Sequence, residues 1–183
     1  TISAQLPGTG NRRDIPVYHN GALLSNPFAG GLNLPQFSKG DLNNDGVEDL
    51  LVFERFLTSQ DGAILTFQNK GSNASPDYVF NPELAVNFPF AQNFMFLRDY
   101  NCDGITDIYA FSGPNPGIAK GVMVWEGSFS GGVIDFSLVF SDLVYTSPGQ
   151  GLIFVQEDDV PDISDIDGDG DLDLLTFELN STH

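Results

Sequence analysis

One nine-residue pattern occurs three times in this chain and constrains the fold more than any other feature. The copies begin at Asp41, Asp99 and Asp165, and each has an oxygen-bearing side chain at positions 1, 3, 5 and 9 and a glycine at position 6. Alternate side chains of such a loop can point to one centre, and crowded hard oxygen donors suit Ca²⁺. Glycine at position 6 permits the backbone reversal that brings the last Asp back to the ion.

We name the copies loop 1 (residues 41–49), loop 2 (residues 99–107) and loop 3 (residues 165–173). The pattern predicts about three bound Ca²⁺, one in each loop. The predicted ligands are the side chains at positions 1, 3, 5 and 9 and the backbone carbonyl at position 7, namely Asp41, Asn43, Asp45, Val47 and Asp49; Asp99, Asn101, Asp103, Ile105 and Asp107; and Asp165, Asp167, Asp169, Asp171 and Asp173. Because position 3 is Asp only in loop 3, we predict that loop 3 binds calcium most tightly, provided that its unit is structurally complete.

The residues after each loop distinguish between calcium-binding folds. Each loop runs into a short apolar segment rich in β-forming residues, at residues 50–53, 108–111 and 174–177. An EF-hand needs a bidentate Glu at position 12 and a helix after it. Position 12 is Val52, Ala110 or Thr176. The sequence therefore predicts calcium loops between strands, not EF-hands.

The spacing of the loops predicts the architecture. The first Asp recurs after 58 and then 66 residues, and one supersecondary unit of about 60 residues accommodates the four short strands of a propeller blade. No convincing helical period occurs. The predicted strands are residues 35–38, 50–55, 62–67 and 77–80 in the first unit, 93–97, 107–111, 121–125 and 133–139 in the second, and 173–177 in the third. We predict an all-β fold, a partial β-propeller of four-stranded antiparallel blades with calcium-binding loops.

The predicted domain organisation is an N-terminal segment followed by a propeller portion with three units. Residues 1–13 are expected to be a flexible N-terminus or the remnant of a signal peptide, and residues 14–183 a portion of a propeller. Its units are expected at about residues 33–90, 91–150 and 151–183, the last incomplete. The segment 14–19 is predicted to be a strand from a different blade. Because propellers close with about 4–8 blades, we expect a fragment of a larger propeller; the alternative is an open, three-unit β arc.

The loops and their flanks resemble a known family of repeats. Together with residues 37–41, Phe53 and Phe111, they are similar to the FG-GAP/VCBS repeats of integrin-α-like β-propellers, over roughly residues 14–179. Residues 26–33 and 97–104 resemble large bacterial surface proteins of this class, many of which are exported by the type IX route. The resemblance implies a calcium-stabilised scaffold for adhesion or ligand binding, secreted or on the cell surface, without shared catalytic residues.

Charge narrows the classes of partner. The net charge is −18, and 12 of the 25 acidic residues lie inside the three loops. Three Ca²⁺ would bring the formal charge to −12, so much of the acidity belongs to the predicted metal sites. With seven basic residues, the chain is not expected to bind nucleic acid or anionic membranes, because phosphates attract Lys and Arg. It also lacks the apolar run of about 18 residues that a spanning helix needs, so no membrane insertion is predicted.

The remaining candidate residues point away from catalysis. His19 and His183 lack a recognisable nucleophile frame such as Gly-x-Ser-x-Gly, so we expect no enzyme activity. Cys102 is the single cysteine, which excludes an intrachain disulfide, and it is expected to be a spectator in loop 2. Tyr109 and Trp125 lie on predicted strands, where core packing and a sugar-stacking platform are the two interpretations.

Three functional hypotheses follow. The leading one is a non-enzymatic, calcium-stabilised propeller of a secreted or cell-surface bacterial protein, acting in adhesion or protein–protein interaction with a protein or glycan ligand. The second is a carbohydrate-binding module or accessory region of a polysaccharide-degrading enzyme. The third is an exported cargo bound to the type IX secretion machinery.

Overall fold

The computed structural model describes residues 16–24, 32–58, 61–112, 120–146, 149–156 and 159–176. Within these ranges the regular structure is β-strand, apart from a 3-10 turn at Pro82–Ala85. The strands are β1 (Tyr18–His19), β2 (Ala22–Leu23), β3 (Pro35–Gly40), β4 (Asp49–Thr58), β5 (Asp61–Asn69), β6 (Tyr78–Phe80), β7 (Met95–Arg98), β8 (Asp107–Phe111), β9 (Val122–Ser130), β10 (Val133–Phe140), β11 (Val144–Tyr145), β12 (Gly151–Leu152), β13 (Asp162–Ser164) and β14 (Asp173–Leu175). The predicted all-β class is confirmed.

The chain divides into two compact units, Thr1–Gly31 and Leu32–His183. In the first unit β1 and β2 form a two-stranded hairpin. Its turn residues Asn20 and Gly21 have φ of 49° and 80°, as a two-residue hairpin turn of type I′ requires. The predicted strand at residues 14–19 is therefore present at Tyr18–His19, whereas residues 1–15 lie outside the described residues. The assignment of this strand to another blade stays a prediction.

The compact unit Leu32–His183 contains two four-stranded antiparallel sheets, which are the predicted blades. Blade 1 has the strand order β3-β4-β5-β6, and blade 2 consists of β7, β8, β9 and β10 in sequential order. The two-stranded sheet β13-β14 belongs to the third repeat unit, and β11-β12 is a separate two-stranded sheet. The strands in each blade follow one another in the chain, so short antiparallel connections suffice throughout. The structure therefore consists of partial propeller blades, as predicted.

The three loops occupy the same place in their units. Each loop joins the first strand of its unit to the second, and the residue before the loop pairs with the last Asp of the loop. These pairs are Gly40↔Asp49, Arg98↔Asp107 and Ser164↔Asp173. The nine-residue length and the strand register thus determine each other, because a one-residue slip would turn the last Asp to the opposite face of the sheet.

Blade 2 is covered on both faces. One cluster of buried side chains joins blades 1 and 2 and includes Phe53 of β4 and Leu97 of β7. A second cluster lies on the other face of blade 2 and joins Phe111 of β8 to Ile163 of β13. All five residues of β8 are consequently buried. Two covered faces explain why this strand is an almost continuous apolar run with no alternation of polar residues.

The interface between neighbouring units repeats. Leu97 and Ile108 are partners across β7 and β8 and face blade 1. Their counterparts in the third unit, Ile163 and Leu174, are partners across β13 and β14 and face blade 2. Each unit therefore presents the same positions of its first two strands to the preceding unit, which is the packing expected of successive propeller blades.

Several boundaries differ from the predictions. Strands β4 and β9 extend to Thr58 and Ser130, and β7 begins at Met95, two residues later than predicted. The 3-10 turn was not predicted, although its start is readable: Asn81 accepts a hydrogen bond from the Glu83 N–H, and Pro82 follows it. The third unit's strand ends at Leu175, and Phe177 lies outside the described residues. In the described part of the chain no helix has the length and apolarity to span a bilayer.

Candidate metal centres

The same hydrogen bond closes all three loops. The carboxylate at position 1 accepts a hydrogen bond from the backbone N–H of the glycine at position 6. The oxygen–nitrogen distances are 2.8 Å for Asp41 and Gly46, 2.8 Å for Asp99 and Gly104, and 3.1 Å for Asp165 and Gly170. This bond turns the first Asp toward the inside of the loop, where a ligand of the predicted ion has to lie.

Two positions in each loop have a left-handed backbone. The glycines at position 6 have φ between 81° and 99°, as the sequence predicted. Position 4 is left-handed as well, with φ of 60° at Asn44, 60° at Cys102 and 81° at Gly168. Sequence reasoning missed this second position, although Asn and Gly are the residues that adopt this conformation most readily.

The conformation of Cys102 leads to a stability prediction. A left-handed backbone costs an ordinary L-residue about 1–2 kcal/mol, and Asn pays less than most side chains. Because Cys102 is exposed, we expect Cys102→Asn to raise the free energy of unfolding by about 0.5–1 kcal/mol. Urea denaturation in EDTA, followed by the fluorescence of Trp125, measures this change. A loss of stability would show that the thiol makes a contribution that the backbone does not explain.

The carboxylate at position 9 ties the loop to the sheet. In loop 1 the two oxygens of Asp49 accept hydrogen bonds from the backbone N–H groups of Leu42 and Asn69, at 3.2 and 2.8 Å. In loop 2 the oxygens of Asp107 accept from Tyr100 and Gly127, at 2.8 and 2.7 Å. Asp49 and Asp107 are fully buried. Each thus joins the second residue of its loop to the third strand of its blade.

Burial changes the acidity of these two groups. It raises the pKa of Asp49 and of Asp107 above the ordinary range, and the N–H groups that donate to them act in the opposite direction. The carboxylates at positions 1 and 5 of the same loops raise the pKa further. An adjacent cation favours the charged form of a carboxyl group. A bound Ca²⁺ would therefore offset the free energy that burial adds to the charged carboxylates.

Loop 3 brings three carboxylates together. One oxygen each of Asp165, Asp167 and Asp173 lies within 4.8 Å of the others. Ca²⁺ binds oxygen at about 2.3–2.6 Å, so two ligands on opposite sides of one ion are about 5 Å apart. The three side chains therefore fit a single Ca²⁺. Ile166 donates to Asp173 at 2.8 Å, which repeats the bond from position 2 in the other loops.

Two other acidic residues of loop 3 are not in this trio. Asp169 accepts from the Asp171 N–H at 3.1 Å, and this bond lowers the pKa of Asp169. A side-chain hydrogen bond with Asp169 raises the pKa of Asp171. The predicted calcium ligand at this position stays the backbone carbonyl of Asp171.

Loops 1 and 2 differ at position 3, where they carry Asn43 and Asn101. Among the described residues no second trio of carboxylate, imidazole or thiolate groups comes as close as that of loop 3. The amide oxygens of Asn43 and Asn101 nevertheless point into their loops, because they accept from the N–H groups of Asp45 and Asp103 at 3.1 and 3.0 Å. Carboxylate and amide oxygens each have two lone pairs, so these bonds leave capacity for an ion. Metal binding by the carbonyls of Val47 and Ile105 stays a prediction.

Sequence reasoning missed residues that support the loops from a distance. Asn69, at the end of β5, donates through its amide to the carbonyls of Glu48 and Ser72 and accepts from Gly71 and Asp77. Asn73 accepts from the Glu48 N–H at 2.8 Å. These residues follow loop 1 by about twenty positions, so no local pattern connects them to it. The available signal was the polar cluster with Gly71 that follows the strand.

The residues considered for other activities lie elsewhere. Tyr109 is 7% exposed and packs in the core between blade 2 and the third unit, and its burial raises its pKa to about 12. Trp125 packs against the core between the blades. Core packing therefore accounts for both aromatic residues. His19 is exposed and contacts its neighbour Asn20, whereas His183 lies outside the described residues.

Two curated proteins are similar to this chain. Integrin alpha-3 from Cricetulus griseus and integrin alpha-3 from Mus musculus are each 34% identical to it over 141 residues. The match covers 63% of this chain and 13% of the relative in both cases. No family model matches the chain, and no solved structure shows significant similarity. The chain thus spans about an eighth of the length of the relatives it matches, and within the matched region it is similar to integrin alpha-3.

Proposed function

We propose that this chain is a calcium-stabilised, non-enzymatic portion of a β-propeller that acts in adhesion or protein–protein contact. The observation that carries the proposal is the repetition of one loop geometry at one place in three β-units. Position 1 accepts from the glycine at position 6, and position 9 accepts from position 2, in every loop. Repeated loops of acceptor oxygens between strands are suited to binding hard cations, not to transferring groups.

The proposed role of the ion is structural. Loops 1, 2 and 3 contain four, three and five acidic residues, whose mutual repulsion opposes the compact turn. Asp41 and Asp49 would hold one ion from the two ends of loop 1, as would Asp165 and Asp173 in loop 3. When bound, Ca²⁺ supplies positive charge at the junction of the first two strands and is coordinated there by oxygens of the loop. The chain's own residues orient the oxygens and exclude part of the solvent.

Similarity to integrin alpha-3 supports an interaction role. A groove of about 620 Å³ between the first strands of blades 1 and 2 offers a surface for such a role. Its lining includes Phe37, Lys39, Arg98 and Thr106, and Phe37 is 58% exposed. The groove combines an exposed aromatic ring with the cationic side chain of Lys39, and its lining also includes Asp41, Glu48 and Asp99. We propose a protein ligand at this recessed surface.

The finer parts of the proposal concern source and location. Residues 26–33 and 97–104 resemble bacterial surface proteins with VCBS repeats, and on that resemblance we propose a bacterial protein that is secreted or displayed at the cell surface. Glycan binding and capture by secretion machinery are the alternatives. The burial of Tyr109 and the packing of Trp125 give no support to sugar stacking at these two residues.

Removal of calcium tests the structural role. An ion that binds only the folded chain contributes about 2.7 kcal/mol per site when its free concentration is about 100 times Kd. We therefore expect excess EDTA to lower Tm by at least about 5 °C, since each kcal/mol shifts Tm by about 2–4 °C in a chain of this size. Differential scanning calorimetry with calcium, with EDTA, and with EDTA followed by excess calcium measures the shift and its reversal.

The calorimetric control is magnesium at the same concentration. Mg²⁺ prefers smaller octahedral sites with several waters, so it should restore less of the lost stability than Ca²⁺ restores. A Tm that is identical with calcium and with EDTA would exclude the structural role.

The order of affinity among the loops is a separate prediction. Loop 3 has Asp at positions 1, 3 and 5, and more ligand charge strengthens calcium binding. Isothermal titration of variants that retain one loop each should give the lowest Kd for loop 3. A lower Kd for loop 1 or loop 2 would show that supporting contacts outside the loops outweigh ligand charge.

A further inference from the structure

Glu126 reaches loop 2 from outside its nine residues. It lies on β9, the third strand of blade 2, and is half-buried. Its Oε1 accepts a hydrogen bond from the side-chain amide nitrogen of Asn101, at 3.1 Å. Asn101 occupies position 3 of loop 2, so a strand residue twenty-five positions away contacts a predicted calcium ligand.

A carboxylate determines which way this amide points. An ionised carboxylate can only accept hydrogen bonds, so it pairs with the NH₂ group of Asn101 and not with its oxygen. The same NH₂ donates to Asp103 Oδ2 at 3.0 Å, while the oxygen accepts from the Asp103 N–H at 3.0 Å. The three bonds direct the amide oxygen into the loop. A flipped amide would present two N–H donors to the ion and could not bind it.

Blade 1 lacks this arrangement. Asn69 and Gly127 occupy the same place in their blades, because each donates its N–H to the carboxylate at position 9. The residue before Asn69 is Gln68, the counterpart of Glu126, and its oxygen accepts from Lys70 at 2.6 Å and from Asn81 at 3.3 Å. Gln68 is thus directed to other partners. In loop 2 the residue at position 3 thus has a hydrogen bond to the third strand, whereas in loop 1 the corresponding strand residue, Gln68, bonds to Lys70 and Asn81.

We infer that Glu126 is a positioning residue for calcium in loop 2, and that it acts by holding the amide of Asn101 with its oxygen toward the ion. The inference rests on the proposed calcium binding of the loops. It assigns a function to a strand residue that contributes no ligand. Outer groups that orient a metal ligand typically change metal affinity about 10–100-fold when they are removed.

The test uses the full chain with only loop 2 active. Asp45→Ala and Asp167→Ala silence loops 1 and 3 by removing exposed side chains at positions 5 and 3, and isothermal titration then reports calcium binding by loop 2. In this background we expect Glu126→Leu to raise Kd about tenfold. Glu126→Gln retains an acceptor oxygen of the same reach without the charge, so we expect a change of less than about threefold.

A matched control keeps loop 1 active in place of loop 2. In a chain with Asp103→Ala and Asp167→Ala, Glu126→Leu should leave Kd unchanged within about twofold, because the contact to Asn101 serves loop 2 alone. Melting temperatures in EDTA show whether each variant is folded without the ion. If Glu126→Leu does not fold in EDTA, the Glu126→Gln variant and the cycle below test the inference.

A double-mutant cycle separates orientation from charge. Asn101→Asp replaces the amide by a carboxylate, whose two oxygens are equivalent, so its orientation no longer matters. In this variant we expect Glu126→Gln and Glu126→Leu to leave Kd unchanged or to lower it. Equal weakening by Gln and Leu, or weakening that persists in the Asn101→Asp chain, would overturn the inference. If the chain with only loop 2 active binds no calcium while its folding is intact, calcium binding by loop 2 is itself wrong.

Discussion

Replacing Asp107 by Ala is expected to lower the free energy of unfolding by about 2–5 kcal/mol, and to do so in EDTA as well as in calcium. The buried carboxylate accepts from the N–H groups of Tyr100 and Gly127 at 2.8 and 2.7 Å. Ala removes both acceptors, and each donor left unpaired in a buried position costs about 1–3 kcal/mol. Urea denaturation followed by the fluorescence of Trp125 measures the loss.

Asp103→Ala is the matched control in the same loop. Asp103 is exposed and accepts from the Ile105 N–H at 2.7 Å, so its loss in EDTA should be below about 1 kcal/mol. In calcium the Asp103 variant should lose more, because a ligand is removed from the ion. If Asp107→Ala destabilises the chain only when calcium is present, position 9 acts through the metal alone and its bonds to the sheet contribute little.

Replacing Phe53 by Ala is expected to cost about 3–5 kcal/mol, because it leaves a cavity in the core between the two blades. Phe53 is 0% exposed and belongs to the cluster that includes Met95 and Ile108 of blade 2. The substitution should therefore loosen the packing of blade 2 as well as that of blade 1. Hydrogen exchange of the amides in β7 and β8 measures that effect beside the loss in denaturation.

Phe37→Ala provides the control for the same residue change on the neighbouring strand β3. Phe37 is 58% exposed, and substitutions at such positions change stability by about 0.5 kcal/mol. The pair therefore separates burial from residue type. Similar losses for the two variants would mean that the blades do not share a core at Phe53.

Much of the fold could be predicted from the chain because the repeats combine two independent signals. The loops locate the junction of the first two strands in each unit, and the apolar runs after them locate the second strand. The predicted strand at residues 107–111 is confirmed without change at Asp107–Phe111. This strand is an almost continuous apolar run because both faces of blade 2 are covered. A search for alternating apolar and polar residues alone would have missed it.

What could not be predicted depends on tertiary contacts. The N–H groups of Asn69 and Gly127 complete the environment of the position 9 carboxylates from strands twenty residues away. Gly127 is required there for a second reason, because a Cβ at this position would collide with the carbonyl oxygen of Thr106. A glycine inside a strand can mark such a close approach, but the sequence does not say which backbone approaches.

The left-handed backbone at position 4 shows a similar limit. Asn44 and Gly168 are compatible with a positive φ, whereas Cys102 occupies the same place with φ of 60°. A composition rule alone would have excluded Cys102 from that conformation. The positive φ at position 4 is imposed by the closure of the loop around its acceptor oxygens, so whichever residue stands there adopts it.

Counting calcium ions bound to the intact chain tests the central claim most directly. Native mass spectrometry after equilibration with calcium should show three ions bound to the folded chain. The variant that combines Asp45→Ala, Asp103→Ala and Asp167→Ala should bind none at the same concentration while remaining folded. The assignment of these loops as metal centres would be contradicted if the folded wild-type chain bound no calcium after this equilibration. It would also be contradicted if the triple variant still bound three ions.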